Sequence, residues 1–355
     1  MKVLVINPGS TSTKIAIYED NVQIWKHGIF HYPEELAKFQ HINEQYQYRR
    51  DCLTKALEGV CKLEELDGII GRGGLLKPMP GGVYRVTERI KEDLKNAKMQ
   101  HASNLAGLLA DELASIAGCP AFIADPVVTD ELWDIARPTG IAEIERQSIF
   151  HALNSRAVSR NYAKEIGKPY EELNLIVAHL GGGITVSAHH KGRVVDVNDG
   201  LNGEGPFSPE RAGTIPAAQL AELCFSGKYT LNEVKKKLIG QGGLVAHLGT
   251  TNTADILEKA ANGDKKCQYI MDAMHYAIAK QIGAMHVTLR GKTDAIIITG
   301  GIAHNIPTVE SLKEWVGYLA PIVVVPGEDE LGALAMNAIG ALKGELPIQV
   351  YNPTK

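Results

Sequence analysis

Short apolar runs broken by clusters of small polar residues set the pattern of this chain. Val3 and Val5, with the apolar residues around them, predict one buried strand, and Lys14 to Tyr18 predict a second. Between them Pro8-Gly9-Ser10-Thr11-Ser12-Thr13 reads as a turn. The tip of this hairpin offers backbone N–H groups, the hydroxyls of Ser10 and Ser12, the Asn7 amide and the Lys14 ammonium. The pattern returns about half a chain later: Leu175 to His179 and Ile184 to Ala188 flank Leu180-Gly181-Gly182-Gly183. Each hairpin is followed by a strand that ends in a glycine pair, GIIGRGG at 68–74 and DAIIITGG at 294–301. The order hairpin, helices, strand with glycine pair therefore occurs twice. It predicts a duplicated α/β unit with a cleft between the copies. Helical spacing of apolar residues predicts helices over Asn104 to Ile116, Lys265 to Leu289 and Gly332 to Leu342. The methionines of the second read as core filling rather than a cofactor box.

Composition narrows the classes. A chain of 355 residues suits two domains of ordinary size, and 45% hydrophobic with 22% charged residues is a globular profile. Lys plus Arg is 37 against 41 for Asp plus Glu, a net charge of −4, so no basic excess points to nucleic acid or an anionic membrane. No apolar run reaches the roughly 18 to 20 residues of a membrane span. The N-terminus opens directly on a strand pattern, without the layout of a signal peptide, so the cytoplasm is the expected compartment. Five cysteines without a CxxC fit neither a disulfide framework nor a zinc site and are expected to be buried apolar thiols.

Glycine-rich tips between strands suggest phosphate cradles, because unpaired N–H groups converge there on an anion. No GxxxxGK[ST] is present, and Gly181-Gly182-Gly183 leads into a strand rather than a helix. Both common nucleotide loops are thereby excluded. Tight hairpins alone would also need such glycines, but two placed symmetrically favour nucleotide binding. Arg72, between glycines at a strand end, and Arg211, in a Pro- and Gly-bounded loop, are the candidate anion clamps, since a guanidinium grips carboxylate or phosphate with a planar fork. Asp125 ends the strand 121–124 before Pro126; it either caps a turn or acts on a metal or an acid substrate. His179 before the glycine turn and His151 at a helix start are candidate donors to phosphate, with a satisfied core histidine as the competing reading. His101 is a weaker candidate. His189 and His190 are adjacent on a strand, face opposite ways and form no metal pair.

These motifs resemble the acetate and butyrate kinases. NPGSTSTK at 7–14 looks like the family signature N-x-G-S-S/T-S-x-K. GRGGLL around Arg72, FIADP around Asp125, IFHALNSR around His151, AHLGGG at 178–183, SPERAGTIP around Arg211, TGGIAHN at 299–305 and GEDEL at 327–331 follow in the family's order. GRGGLLKPMPGG and FSPERAG look closer to butyrate kinase. The resemblance implies a duplicated two-domain fold of the actin, sugar-kinase and Hsp70 type, with ATP in the interdomain cleft, and a homodimer or higher homo-oligomer. The N-terminal domain is expected over 1–127 plus 332–355 and the nucleotide-binding domain over 128–331. By resemblance Arg72 and Arg211 flank the transferred phosphoryl group, with Arg72 also holding the substrate carboxylate. Asp125 and His151 complete the catalytic set. Ser10, Ser12, Lys14, His179, Gly181, Gly182 and Gly183 take the phosphates, and Gly300, Gly301 and Asn305 the adenosine side. Glu330 is implied as a Mg²⁺ ligand, with Asn7 beside it. The loop Thr250 to Asp255 stands at the family's other nucleotide-contact loop but lacks its aromatic and its arginine.

The expected reaction is reversible phosphoryl transfer between ATP and a short-chain fatty acid, giving ADP and an acyl phosphate. Gly73, Gly74, Gly203 and Gly205 suggest room for a longer alkyl chain, so butyrate or a branched four- or five-carbon acid is expected. At ~0.8 kcal/mol per buried methylene such a preference is leaky. The alternatives are an acetate or propionate kinase, a sugar kinase, or a noncatalytic ATPase of the same fold. A sugar kinase needs an aspartate base to deprotonate a hydroxyl, which a carboxylate nucleophile does not.

Overall fold

The computed structural model describes residues 1–353 and divides the chain into two compact units, Met1–Asp130 with Asp329–Lys355, and Glu131–Glu328. Its strands are β1 (Lys2–Pro8), β2 (Ser12–Glu19), β3 (Val22–Phe30), β4 (Gly68–Arg72), β5 (Val83–Arg85), β6 (Ala121–Ala124), β7 (Asn174–Leu180), β8 (Ile184–His190), β9 (Arg193–Val197), β10 (Ala295–Gly300), β11 (Ile322–Pro326) and β12 (Ile348–Gln349).

The first unit has a seven-stranded sheet in the order β12-β5-β6-β4-β1-β2-β3, the second a five-stranded sheet in the order β11-β10-β7-β8-β9. In each, three antiparallel strands formed by successive hairpins (β1-β2-β3, β7-β8-β9) are extended by two parallel strands on the side of the first. Even the register shifts correspond, at Ile17/Tyr18 in one copy and Ala188/His189 in the other. The duplication read from the sequence is thus present in five strands of each sheet, with β5 and β12 added only to the first. β4 and β10 are sandwiched between neighbours and buried almost throughout, as parallel strands with both faces covered require.

The helices fall where the apolar spacing places them, at Asn104–Ala117, Lys265–Thr288 and Glu330–Leu342. Met271 and Met274 are wholly buried in the second core, so core filling is their role. The Glu330–Leu342 helix opens on an Asp329 cap that accepts from the Gly332 N–H at 2.9 Å. Its small alanines and glycines let it lie close on β1 and β4. The cysteines are free, but only Cys267 is buried; Cys224 is exposed and the other three are half-buried, which corrects the expectation of buried thiols. Among the described residues no helix is long and apolar enough to cross a membrane.

Candidate active site

In the first unit, the ends of three parallel strands bring the candidates together. Ile6 pairs with Gly71 and Arg72 with Ala124, so Asn7, Arg72 and Asp125 leave β1, β4 and β6 at one sheet edge. Ligands of open α/β sheets bind at that edge. Glu330, at the start of its helix, reaches the same place. Its carboxylate lies 3.0 and 3.2 Å from Arg72 Nη1 and accepts from Asn7 Nδ2 at 2.8 Å. The charged neighbour of Arg72 is thus 258 residues away, where the local sequence could not show it. Among the described residues only Nη1 of the guanidinium is anchored, and the side chain remains 26% exposed, so the rest of the fork can grip a substrate. Asp125 is almost fully buried. It adopts a left-handed backbone with φ +39°, a conformation that side chains larger than glycine rarely take. Its Oδ1 accepts from the Gly82 N–H at 2.7 Å, and its own N–H donates to the Gly82 carbonyl at 3.0 Å.

Ser10 and Lys14 are exposed on the β1–β2 hairpin and Ser12 is half-buried. Beneath the tip lies a residue that sequence reasoning missed. Arg49 is wholly buried, and its guanidinium donates to the carbonyls of Gly9 and Ser10, both at 3.0 Å, and to Thr13 Oγ1 at 3.2 Å. Gln45 takes its Nε–H at 3.0 Å. The tip's carbonyls are thus held inward, and the Gly9 N–H closes the turn on the Ser12 carbonyl at 2.7 Å. Burial pushes the Arg49 pKa down, yet a guanidinium stays charged, so a positive charge sits directly under the turn. His31, hydrogen-bonded to Thr13 Oγ1 at 2.8 Å, is pushed down to about 4 by burial and by Arg49, and is neutral at physiological pH. His101 also lies within the field of Arg72 and Arg49, though burial is the larger cause of its lowered pKa.

In the second unit the β7–β8 turn gathers the other candidates. The Gly181 N–H closes the turn on the Gly183 carbonyl at 3.1 Å. The Arg211 guanidinium lies against Gly183 so closely that a Cβ there would overlap it, which explains the glycine. Ser208, a second residue the sequence reading passed over, ties the Arg211 loop to the turn by donating to the Gly182 carbonyl at 2.6 Å. Arg211 Nη1 donates to the Gly200 carbonyl, and Glu210 is 4.0 Å from Nη2. Its Nε is buried with no hydrogen-bond partner among the described residues, and burial lowers its pKa. An orphaned buried donor on a permanent cation is what an anion satisfies. His179 is 2% exposed, with Nε2 toward the Gly181 backbone and 3.6 Å from Glu328 Oε2. Burial pushes its pKa down to about 4, so the ring is neutral at physiological pH. The His151 ring stacks on it at 3.8 Å and 9°.

At the end of β10, Gly300 has φ +88° and approaches the Leu180 backbone too closely for any side chain, while a Cβ on Gly301 would meet nothing. The glycines thus have different reasons: packing for Gly300, an open surface for Gly301. Asn305 donates to Thr253 Oγ1 at 3.0 Å, and Asn252 caps the following helix through the N–H groups of Ala254 and Asp255. The loop expected to touch nucleotide is therefore fastened as a helix start. The expected acid pocket also needs correction. A Cβ on Gly73 would strike Pro126, one on Gly74 would strike Leu94 and Asn104, and one on Gly205 would strike Asn198. These glycines are filled against by the protein itself and open no room for an alkyl chain. Gly203 has φ +95° and answers a backbone need.

The strand order and the two glycine hairpins define a class, the duplicated α/β fold of actin and the sugar kinases. Solved structures agree in fold: an acetate kinase from Porphyromonas gingivalis superposes with a TM-score of 0.78 at 19% identity, covering 96% of this chain and 99% of that one. A ROK family protein from Streptococcus pneumoniae, in complex with sucrose, gives 0.54 at 15% identity, covering 97% and 100%. The model of the Acetokinase family matches residues 136–316. A probable butyrate kinase of Phocaeicola vulgatus is 63% identical over 99% of this chain and 100% of its own length. Butyrate kinase 1 of Clostridium acetobutylicum is 49% identical over 99% of each. The chain belongs to the acetokinase family.

Proposed function

We propose that this protein transfers a phosphoryl group between ATP and a short-chain fatty acid, butyrate or a branched four- or five-carbon acid, by direct attack of the carboxylate. The observation that carries the reading is Arg211: a half-buried guanidinium, laid against a triglycine turn, whose buried Nε has no hydrogen-bond partner among the described residues. Two anions must meet in this reaction, and the moving group carries its charge on equatorial oxygens. Catalysis is then positioning and charge neutralisation. Arg211 and His179 act on the phosphates, Arg72 on the acid's carboxylate and the moving phosphoryl group, and the hairpin Asn7–Lys14 on the nucleotide phosphates. Asp125 and His151 orient reactants. The preference for butyrate rests on the names of the close relatives, not on Gly73, Gly74, Gly203 or Gly205.

Among the described residues no three His, Cys, Asp or Glu form a metal cluster. Glu330 brings the hard oxygens that Mg²⁺ takes, few of them from protein and with several waters kept, while the Asn7 NH₂ donates to that carboxylate, so Asn7 would have to turn its amide oxygen inward to join it. Those two residues would hold it, and it would neutralise phosphate charge. The same reading includes a homodimer and a cytoplasmic enzyme.

With ATP, Mg²⁺ and butyrate, hydroxylamine is expected to trap an acyl hydroxamate. Trapping is expected to fall from butyrate to acetate, with kcat/KM changing by ~10- to 200-fold per methylene. A protein that hydrolyses ATP or phosphorylates a sugar without forming hydroxamate contradicts the reading, and an acetate preference contradicts the acid assignment.

A further inference from the structure

We propose that Asn154 is a positioning residue that fixes His179 as the tautomer with its proton on Nε2, the nitrogen beside the glycine turn. The inference rests on the reading of that turn as the phosphate site. It follows from a chain of contacts in which each member has only one available role. Thr299 Oγ1 lies 3.1 Å from the Gly327 carbonyl oxygen, which can only accept, so the hydroxyl's single proton points there. The Thr299 oxygen must then accept from its other neighbour, Asn154, at 3.2 Å. Only the amide NH₂ of Asn154 can donate, which settles which way that amide is turned. The same NH₂ lies 2.9 Å from His179 Nδ1, so its second N–H goes there and Nδ1 must be bare. The proton of the neutral ring is left on Nε2.

Each of Asn154, Thr299 and His179 is buried, so no water competes for these roles. The stacked His151 ring supports a neutral His179, since two imidazolium faces at 3.8 Å would repel. His151 has a partner in Thr185 Oγ1, 3.0 Å from Nδ1. A neutral Nε2–H stabilises a phosphate oxygen without retaining a charge that would trap the product. The network also connects the histidine to the turn at Gly327, whose N–H and carbonyl pair with those of Gly300 at 2.9 and 3.0 Å.

Imidazole ¹⁵N shifts at neutral pH separate bare from protonated ring nitrogens, with the His179 signals assigned from a His179→Gln spectrum. The unliganded protein is expected to show His179 with Nδ1 bare and Nε2 protonated. In Asn154→Asp, a carboxylate that only accepts draws a proton onto Nδ1. The bare Nδ1 signal is expected to vanish, and kcat for acyl phosphate formation to fall about 10- to 100-fold with KM for the acid little changed. Should that variant fail to fold, Thr299→Val removes the anchor with little change of volume, and the released amide is expected to give a mixture of His179 tautomers. A proton on Nδ1 in the unsubstituted protein overturns the proposal. An unaltered single tautomer in Asn154→Asp, or in Thr299→Val, overturns it equally. An intact Nε2–H tautomer in a protein that forms no acyl phosphate supports the positioning role while contradicting the kinase reading, so the two failures are distinct.

Discussion

Arg211→Ala is expected to lower kcat by at least ~10²- to 10³-fold while nucleotide affinity changes only a few-fold, because a donor aimed at developing charge acts in the transition state rather than in the ground state. The loop that carries Arg211 is fastened through Ser208, whose hydroxyl donates to the Gly182 carbonyl and whose N–H donates to the Arg211 carbonyl at 3.0 Å. Lysine in its place would keep the charge but lose the planar fork, so Arg211→Lys is expected to recover only part of the rate. Steady-state kinetics with nucleotide and acid varied separately measure both effects. Turnover within a few-fold of the unsubstituted protein would remove Arg211 from the mechanism.

The second large effect is expected at Arg49. Arg49→Met should lower the unfolding free energy by about 2–4 kcal/mol, since the carbonyls of Gly9 and Ser10 lose a charged, buried donor. Urea unfolding that shifts the midpoint without changing the m-value would report it. The KM for ATP should rise as well, by ~10-fold or more, because a hairpin tip freed from Arg49 no longer holds one conformation for the nucleotide phosphates. Arg49→Lys keeps the charge but cannot bridge two carbonyls and Thr13 together, so it should fall between the two. A change below about 0.5 kcal/mol in Arg49→Met, the range of an ordinary surface substitution, would show that the guanidinium does not hold the turn.

Arg49 also shows where the sequence stops being readable. Arg49 and Arg50 are neighbours on the helix Tyr46–Leu57, yet one is wholly buried under the hairpin and the other pairs with Asp51 and Glu112 on the surface. Nothing local separates them, since the difference is made by contacts 36 to 40 residues away. Asn154 is harder still, with partners 25 and 145 positions distant. By contrast, the hairpins and the repeat were legible because apolar runs and glycine turns are local signals, and a strand duplicated in pattern folds the same way twice. The glycines at 73, 74 and 205 misled for the converse reason. A missing side chain reads as open space until the structure shows Pro126, Leu94, Asn104 and Asn198 packed where it would have been. The arginines were identified by type and setting, but Glu330 as the partner of Arg72 required the helix Glu330–Leu342 to return to the first sheet.

The most direct test of the account is a crystal structure of the protein with ADP, Mg²⁺, butyrate and a planar mimic of the phosphoryl group in flight. The expected result is that guanidinium nitrogens of both Arg72 and Arg211 lie within about 3 Å of oxygens or fluorines of that one mimic. A mimic bound between nucleotide and acid with either arginine beyond hydrogen-bonding reach would contradict it.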